Sequence, residues 1–349
     1  MISAVGHDAA TSCASLRAGV SRSRGLQFFP ILDVEEQEPM PLPACPVHGF
    51  TEGFQGLGLW VRLAGAAIGD LISSSSTPPE MVSGFWQETA LLMITPILDK
   101  PRFEGAEWTP TSLLHDYSLA VAHLCRLPLC TDLAEIIPAG HAGSAVAIER
   151  ASELLGNGYS RVLIVAADSY LDTSALEWLD ALGRLKTPDN SAGLIAGEAA
   201  ASVLLESASS VRRRNGRSFA TVHRSATAWE QNHYLSNNRS QGKALASVIE
   251  IALEQPTDSV FSGDLISDMN GEEWRAYELG CTRIRLRSQL ASTRILYPAT
   301  SFGEIGAASG IAALCVAARS FERSYASGGG TLVTNSSDNG LVGAIYLTC

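Results

Sequence analysis

The chemistry this chain could perform begins with His141. It precedes Gly143-Ser144-Ala145, the start of a segment with helical period. An imidazole there would sit where a helix N-terminus concentrates backbone N–H groups and positive potential. It reads either as a general base or as a packed histidine donating to a backbone carbonyl. Ser144 lacks the Gly-x-Ser-x-Gly elbow that lifts a serine nucleophile off its sheet. Glu304 precedes a second apolar helix, where the dipole favours a carboxylate. His123 with Cys125 and Cys130, and Cys45 with His48, could offer nitrogen and sulfur to zinc, but neither set has the paired short spacing of a structural site. No metal is expected. The glycines at 53–58 and 328–330 do not follow a strand and open a helix as a dinucleotide site requires, so they read as loops and no cofactor is expected.

Elements of both periods must position these groups. After Gly143, residues Ala145, Ile148, Ala151, Leu154 and Leu155 recur at helical spacing, and Gly156-Asn157-Gly158 supplies a cap and turn. The run 162–167 is continuously apolar, as in a strand covered on both faces, and a second β-like run spans 199–205. The C-terminal third repeats this order: helix-like 307–318, a glycine break at 328–330, a strand at 331–334, a turn at 335–340 and a strand at 341–347. Each copy follows a strand-then-helix unit, 2–5 with 9–16 and 259–266 with 272–279. The pattern predicts an α/β protein made of duplicated halves, 1–211 and 218–349, about a pseudo-twofold axis and joined by a solvated basic linker at 212–217. His141 and Glu304 then precede equivalent helices and can pair across that axis, as a structural pair or as a hydrolytic dyad with Ser144. Two stretches read as irregular. Residues 26–55, with Asp33, Glu35, Glu36 and Glu38 and then Pro41, Pro43 and Pro46, form a surface excursion, and 70–82, rich in serine and proline, form a mobile loop.

Composition narrows the classes. Of 349 residues 46% are hydrophobic, enough to bury a core and exclude intrinsic disorder. The net charge of -11 argues against nucleic acid, which needs excess Lys and Arg to displace counterions, and suits a basic or neutral partner. Apolar runs such as 91–98 fall short of the roughly 20 residues of a membrane span. Residues 1–19 show no basic segment followed by an apolar one, and the seven cysteines have no framework spacing, so a reducing cytoplasm without disulfides is expected.

The run His141-Ala142-Gly143-Ser144-Ala145-Val146-Ala147-Ile148, continuing through Gly158 into Val162 and Asp168, resembles the nucleophile region of β-ketoacyl synthases, members of the thiolase-like superfamily. Ile2-Ser3-Ala4-Val5-Gly6, the stretch 190–206 with Gly193 and Gly197-Glu198-Ala199-Ala200, and 303–310 agree with it in order. The resemblance implies a five-layer αβαβα thiolase-like fold of two pseudo-symmetric half-domains, dimerising through the strand after Val162. It also implies a cysteine nucleophile at the helix start and a histidine pair, supported by lysine, for condensation. Aligned on the helix, His141 stands at the nucleophile, Asn270 or a neighbour in 267–272 at the first histidine, Glu304 at the second and Ala299 at the lysine, while 336–340 lacks the gatekeeper phenylalanine. Every condensing position is changed, and an acyl-imidazole hydrolyses too readily to hold a growing chain. His141, Ser144, Asn270, Ala299 and Glu304 therefore read as a vestigial pocket with no catalytic residue.

The resemblance implies a non-catalytic, ketosynthase-like protein acting through protein contacts, as a homodimer or heterodimer. Its partner would be an adaptor or effector, as a co-chaperone in bacterial type VI secretion. The alternatives are an acyltransferase or malonyl-thioester decarboxylase using His141, and a chain-length-factor-like subunit paired with an active synthase.

Overall fold

The computed structural model describes residues 1–33, 36–74, 83–98, 101–103, 108–128, 133–254 and 260–349. Its first half runs β1 (Ile2–Ser3), α1 (Ala9–Arg17), the hairpin β2 (Arg24–Asp33) and β3 (Glu38–Cys45), α2 (Gly56–Ser73), a short α3 (Ser83–Gln87), β4 (Thr89–Thr95), α4 (Pro110–Cys125), β5 (Ala134–Pro138), α5 (Gly143–Gly156), β6 (Arg161–Ser169), α6 (Thr173–Ala181) and β7 (Ala196–Glu206). The second runs α7 (Ala208–Arg213), β8 (Thr221–Trp229), α8 (Lys243–Leu253), β9 (Asp264–Ser267), α9 (Glu273–Arg285), β10 (Arg294–Leu296), α10 (Ala299–Phe302), α11 (Ser309–Glu322), β11 (Gly330–Ser336) and β12 (Leu341–Thr348).

Two sheets form, ordered β2-β3-β7-β6-β4-β5, with β1 also on β7, and β10-β9-β11-β12-β8. The path β5-β4-β6-β7-β1 in the first repeats as β10-β9-β11-β12-β8 in the second, with matching parallel and antiparallel pairs at every step. α5 and α11 lie between the sheets and join one apolar core with residues of both, including Ile94, Ile148, Ile164, Ile311, Val333 and Ile345. α2 and α4 cover the outer face of the first sheet and α8 and α9 that of the second. This is the αβαβα layering of two pseudo-symmetric halves. The continuous apolar run at 162–167 becomes β6, buried along its whole length, because helices cover both its faces.

Several expectations are corrected. β6 pairs with β4 on one side and β7 on the other, so the strand after Val162 has no free edge through which to dimerise; the exposed edge on that side is β5. The excursion at 26–55 is largely the β2–β3 hairpin, packed on α6 through Leu26, Ile31, Leu42 and Ala44. Its prolines mislead, because Pro39, Pro41 and Pro43 recur at every second residue where β3 pairs with β2 alone. β3 joins β7 only at Ala44 and Cys45, past the last of them. Glu35 and most of the 70–82 stretch lie outside the described residues, but Asp70 to Ser73 complete α2. The glycines at 53–58 straddle the start of α2 rather than a loop. α2 is long and apolar enough to cross a membrane, yet it packs on β6, β7 and α4, and Asp70 accepts the Ala9 N–H at 2.8 Å. Arg212 and Arg213 end α7, while Arg214 is paired with Glu206. Cys13, Cys45, Cys281, Cys315 and Cys349 are free thiols, and Cys130 lies outside the described residues.

Candidate functional site

The site forms where the two central helices begin. β5 hands the chain to a one-turn 3₁₀ segment, Gly140–Ala142, and then to α5. Gly140 adopts φ 61°, a left-handed conformation that glycine takes without strain. A side chain at Gly143 would strike Ile94, since its Cβ would lie 2.5 Å from Ile94 Cγ2. This tight turn presents a buried His141. The second half builds the same device: Gly306, at φ 52°, opens the 3₁₀ segment Gly306–Ala308 before α11, and α5 and α11 are both 14 residues long. By that equivalence Ala307, not Glu304, matches His141.

His141 Nε2 lies 2.8 Å from Glu304 Oε1 and 3.1 Å from Arg275 Nη2. A single ring nitrogen can donate to the first or accept from the second, not both. Glu304 Oε1 also accepts the Gly306 N–H at 2.7 Å, and its Oε2 accepts from Asn270 Nδ2. Burial alone would raise the Glu304 carboxyl, but His141, Arg275 and the Gly306 N–H together hold it well below the usual carboxylate range.

Three of the five sequence-predicted residues thus meet: His141, Glu304 and Asn270. Ser144 turns away, donating to Asn335 Oδ1 at 3.2 Å where α5 crosses α11. Ala299 is half-buried at the start of α10 and brings no polar group.

Arginines, which sequence reasoning missed, complete the site. Arg275 Nη1 donates to Asp268 Oδ2 at 2.8 Å and to the Ser336 carbonyl at 2.6 Å. Arg184 grips Glu272 through Nε and Nη2, at 2.7 and 2.9 Å, and Asp338 through Nη1 at 2.6 Å. Burial would raise the Asp338 carboxyl, but Arg184 and Arg275 outweigh it and hold it low. On the other flank Arg102 Nη2 meets Asp168 Oδ1 at 2.6 Å, and Asp168 Oδ2 accepts the Ala307 N–H at 2.9 Å. One local signal existed: Arg275 stands in the first turn of α9, where the helix dipole disfavours a cation, so it needs carboxylates close by.

These ion pairs fill the space beside His141. A void of about 30 Å³ remains, touched by Ile97, Arg102, His141, Tyr170, Trp178 and Asp338. That is far short of the room an acyl chain needs. Beyond Arg184 and Glu272 lies a separate cleft of about 320 Å³ between the halves, walled by Tyr234, Arg239, Trp274 and Tyr277. The thiol that approaches the site is unreactive: Cys45 packs against Gly303, and burial pushes it up to about 11. Among the described residues no cluster of His, Cys, Asp and Glu is arranged to hold a metal.

The ketosynthase of a type II polyketide synthase, solved with its acyl-carrier protein, superposes with a TM-score of 0.77 over 100% of this chain and 97% of its own, at 13% identity. The fold is that of the thiolase-like ketosynthases. The ishigamide ketosynthase/chain length factor superposes at 0.74 over 99% and 96% of the two chains with 16% identity. A β-ketoacyl synthase from Burkholderia phymatum does so at 0.69 over 99% and 97% with 15% identity. No family model and no curated protein matches the sequence.

Proposed function

We propose that this chain is a non-condensing, ketosynthase-like subunit that works through a protein partner. One observation carries the reading. At the nucleophile position stands an imidazole whose Nε2 is engaged by Glu304 or Arg275, within an ion-pair network that leaves a void of only about 30 Å³. An acyl group could reach that nitrogen only by displacing buried, mutually paired charges. The edge of β5, which no strand pairs among the described residues, lies beside this turn and offers its backbone groups to a second subunit, as homodimer or heterodimer.

Two of the similar structures contain a ketosynthase with a protein partner, one of them a chain length factor. That supports a chain-length-factor-like place beside an active synthase, with halves dividing near 212–217. The adaptor role in type VI secretion rests on the sequence resemblance alone. Incubation with acyl and malonyl thioesters tests the proposal, read by intact mass and carbon dioxide release. No adduct and no release are expected. An adduct, or decarboxylation lost in His141→Ala, overturns it in favour of the acyltransferase or decarboxylase.

A further inference from the structure

Charge is unevenly shared along this chain. Residues 1–206 carry 24 Asp and Glu against 11 Lys and Arg, whereas 207–349 carry 12 against 14. The imbalance is sharpest around the end of α9: residues 279–303 contain four arginines and no carboxylate. Arg294 is paired with Asp264. Arg283, Arg285 and Arg287 are exposed and have no carboxylate partner among the described residues, Arg285 reaching only the Gln241 carbonyl at 2.9 Å.

The outer face of α9 is also unlike a solvated helix face. Glu273, Ala276, Tyr277, Gly280, Arg283 and Ile284 are exposed along it at three- and four-residue spacing, Tyr277 at 43% and Ile284 at 72%, with Glu273 neutralised by Arg239 at 3.1 Å. Burial elsewhere on the helix, at Arg275, Glu278, Leu279 and Thr282, fixes which face packs inward. Nothing in the fold needs the glycine, since a Cβ at Gly280 would meet no atom within 4 Å, yet glycine within a helix costs about 1 kcal/mol relative to alanine. Helix-dipole compensation accounts for Arg283 and Arg285 in the last turn. It does not account for Arg287, for Ile284, or for two small residues one turn apart beside Tyr277.

We infer that the outer face of α9 is a docking surface for an acidic amphipathic helix of a partner protein. The partner's apolar ridge would seat between Tyr277 and Ile284, close to the backbone over Ala276 and Gly280, and its carboxylates would meet Arg283 and Arg287. This deepens the partner-dependent reading above and rests on it, while placing the contact on the opposite sheet from the β5 edge.

The probe is a labelled 18-residue helical peptide with a leucine ridge flanked by glutamates, titrated against the full chain by fluorescence anisotropy. The same peptide with lysines for glutamates, a 20-base-pair DNA duplex and phosphatidylserine vesicles serve as competitors. Binding of the glutamate peptide is expected, weakened at least tenfold by Arg283→Glu with Arg287→Glu. Gly280→Leu, which fills the close approach without disturbing the helix, should weaken it comparably with thermal unfolding unchanged. Charge-insensitive binding, indifference to Gly280→Leu, or tighter binding of DNA or vesicles overturns the surface. The two readings fail separately: a thioester adduct on His141 removes the non-condensing assignment, whereas patch variants that leave the peptide bound remove only this surface.

Discussion

The two central helices begin alike and are finished differently. At Gly306–Ala308 the turn's N–H groups meet carboxylates, Gly306 donating to Glu304 and Ala307 to Asp168. At Gly140–Ala142 the Ala142 N–H meets the hydroxyl of Ser337 at 2.9 Å, and the turn lends its histidine to Glu304 from the other half. One helix start is neutralised by anions from its surroundings, while the other receives no anion on its own N–H groups and shares one through a side chain. A helix N-terminus can supply an oxyanion site only while its N–H groups are free; at the second start two of them already meet carboxylates, and at the first the Ala142 N–H meets Ser337.

If the charges beside His141 form a lock, the largest effect comes from removing the cation shared between both sides. Arg275→Ala leaves Asp268, Glu272 and Asp338 each short of a buried partner. Breaking a buried pair by truncation typically costs about 3–5 kcal/mol, which urea unfolding will read. A loss under about 1 kcal/mol would mean that the network adds little to stability and that the pocket can open.

Next come the two glycines, which separate turn geometry from turn chemistry. Both have positive φ, so alanine at either should cost about 1–2 kcal/mol from the backbone alone. At Gly306 the new Cβ would also lie 2.0 Å from Asp168 Oδ2, whereas at Gly140 its nearest neighbour would be Ile97 Cγ1 at 3.3 Å. Gly306→Ala should therefore be the more damaging by roughly 1–2 kcal/mol, through displacement of a buried ion pair. Equal losses would show that the carboxylate finish of the second turn carries no stability.

Periodicity made α5, α11, β6 and the two C-terminal strands legible, because each buries one face or both against the core and writes that burial into its spacing. Asn270 and Glu304 were legible as positions through resemblance, but the arginines were not. Arg184 meets Glu272 across 88 residues and Asp338 across 154, and an ion pair leaves no local pattern at either end. The β2–β3 hairpin escaped for a different reason, since alternate prolines in an edge strand look like a loop until the pairing side is known.

A smaller effect concerns pH. Glu304 and Asp338 are held below their unfolded values, so their stabilisation is complete above the unfolded carboxylate range, about pH 4, and is lost progressively as pH falls from there through their lower folded values. Urea midpoints should drop below about pH 4.5. Glu304→Gln should be less stable than the parent at pH 7 by about 1–3 kcal/mol and should lose less on acidification, because one of the two groups no longer takes up a proton. Parallel curves for the two proteins would remove Glu304 from the acid response.

The smallest effect tests whether any hydrolytic chemistry attaches to Ser144. Under the helix equivalence Ser144 corresponds to Gly310, and the two meet where α5 and α11 cross: a Cβ on Gly310 would fall 2.0 Å from Ser144 Oγ. The crossing has room for one hydroxymethyl group, supplied by the first half and directed to Asn335. Ser144→Ala should cost about 1 kcal/mol, the worth of a buried hydrogen bond whose acceptor is left unpaired. It should leave hydrolysis of p-nitrophenyl acetate at the background rate of the parent protein. A parent rate above background that disappears in Ser144→Ala would instead make the serine a nucleophile, and the asymmetry at this crossing would then mark a site of chemistry rather than a rule of packing.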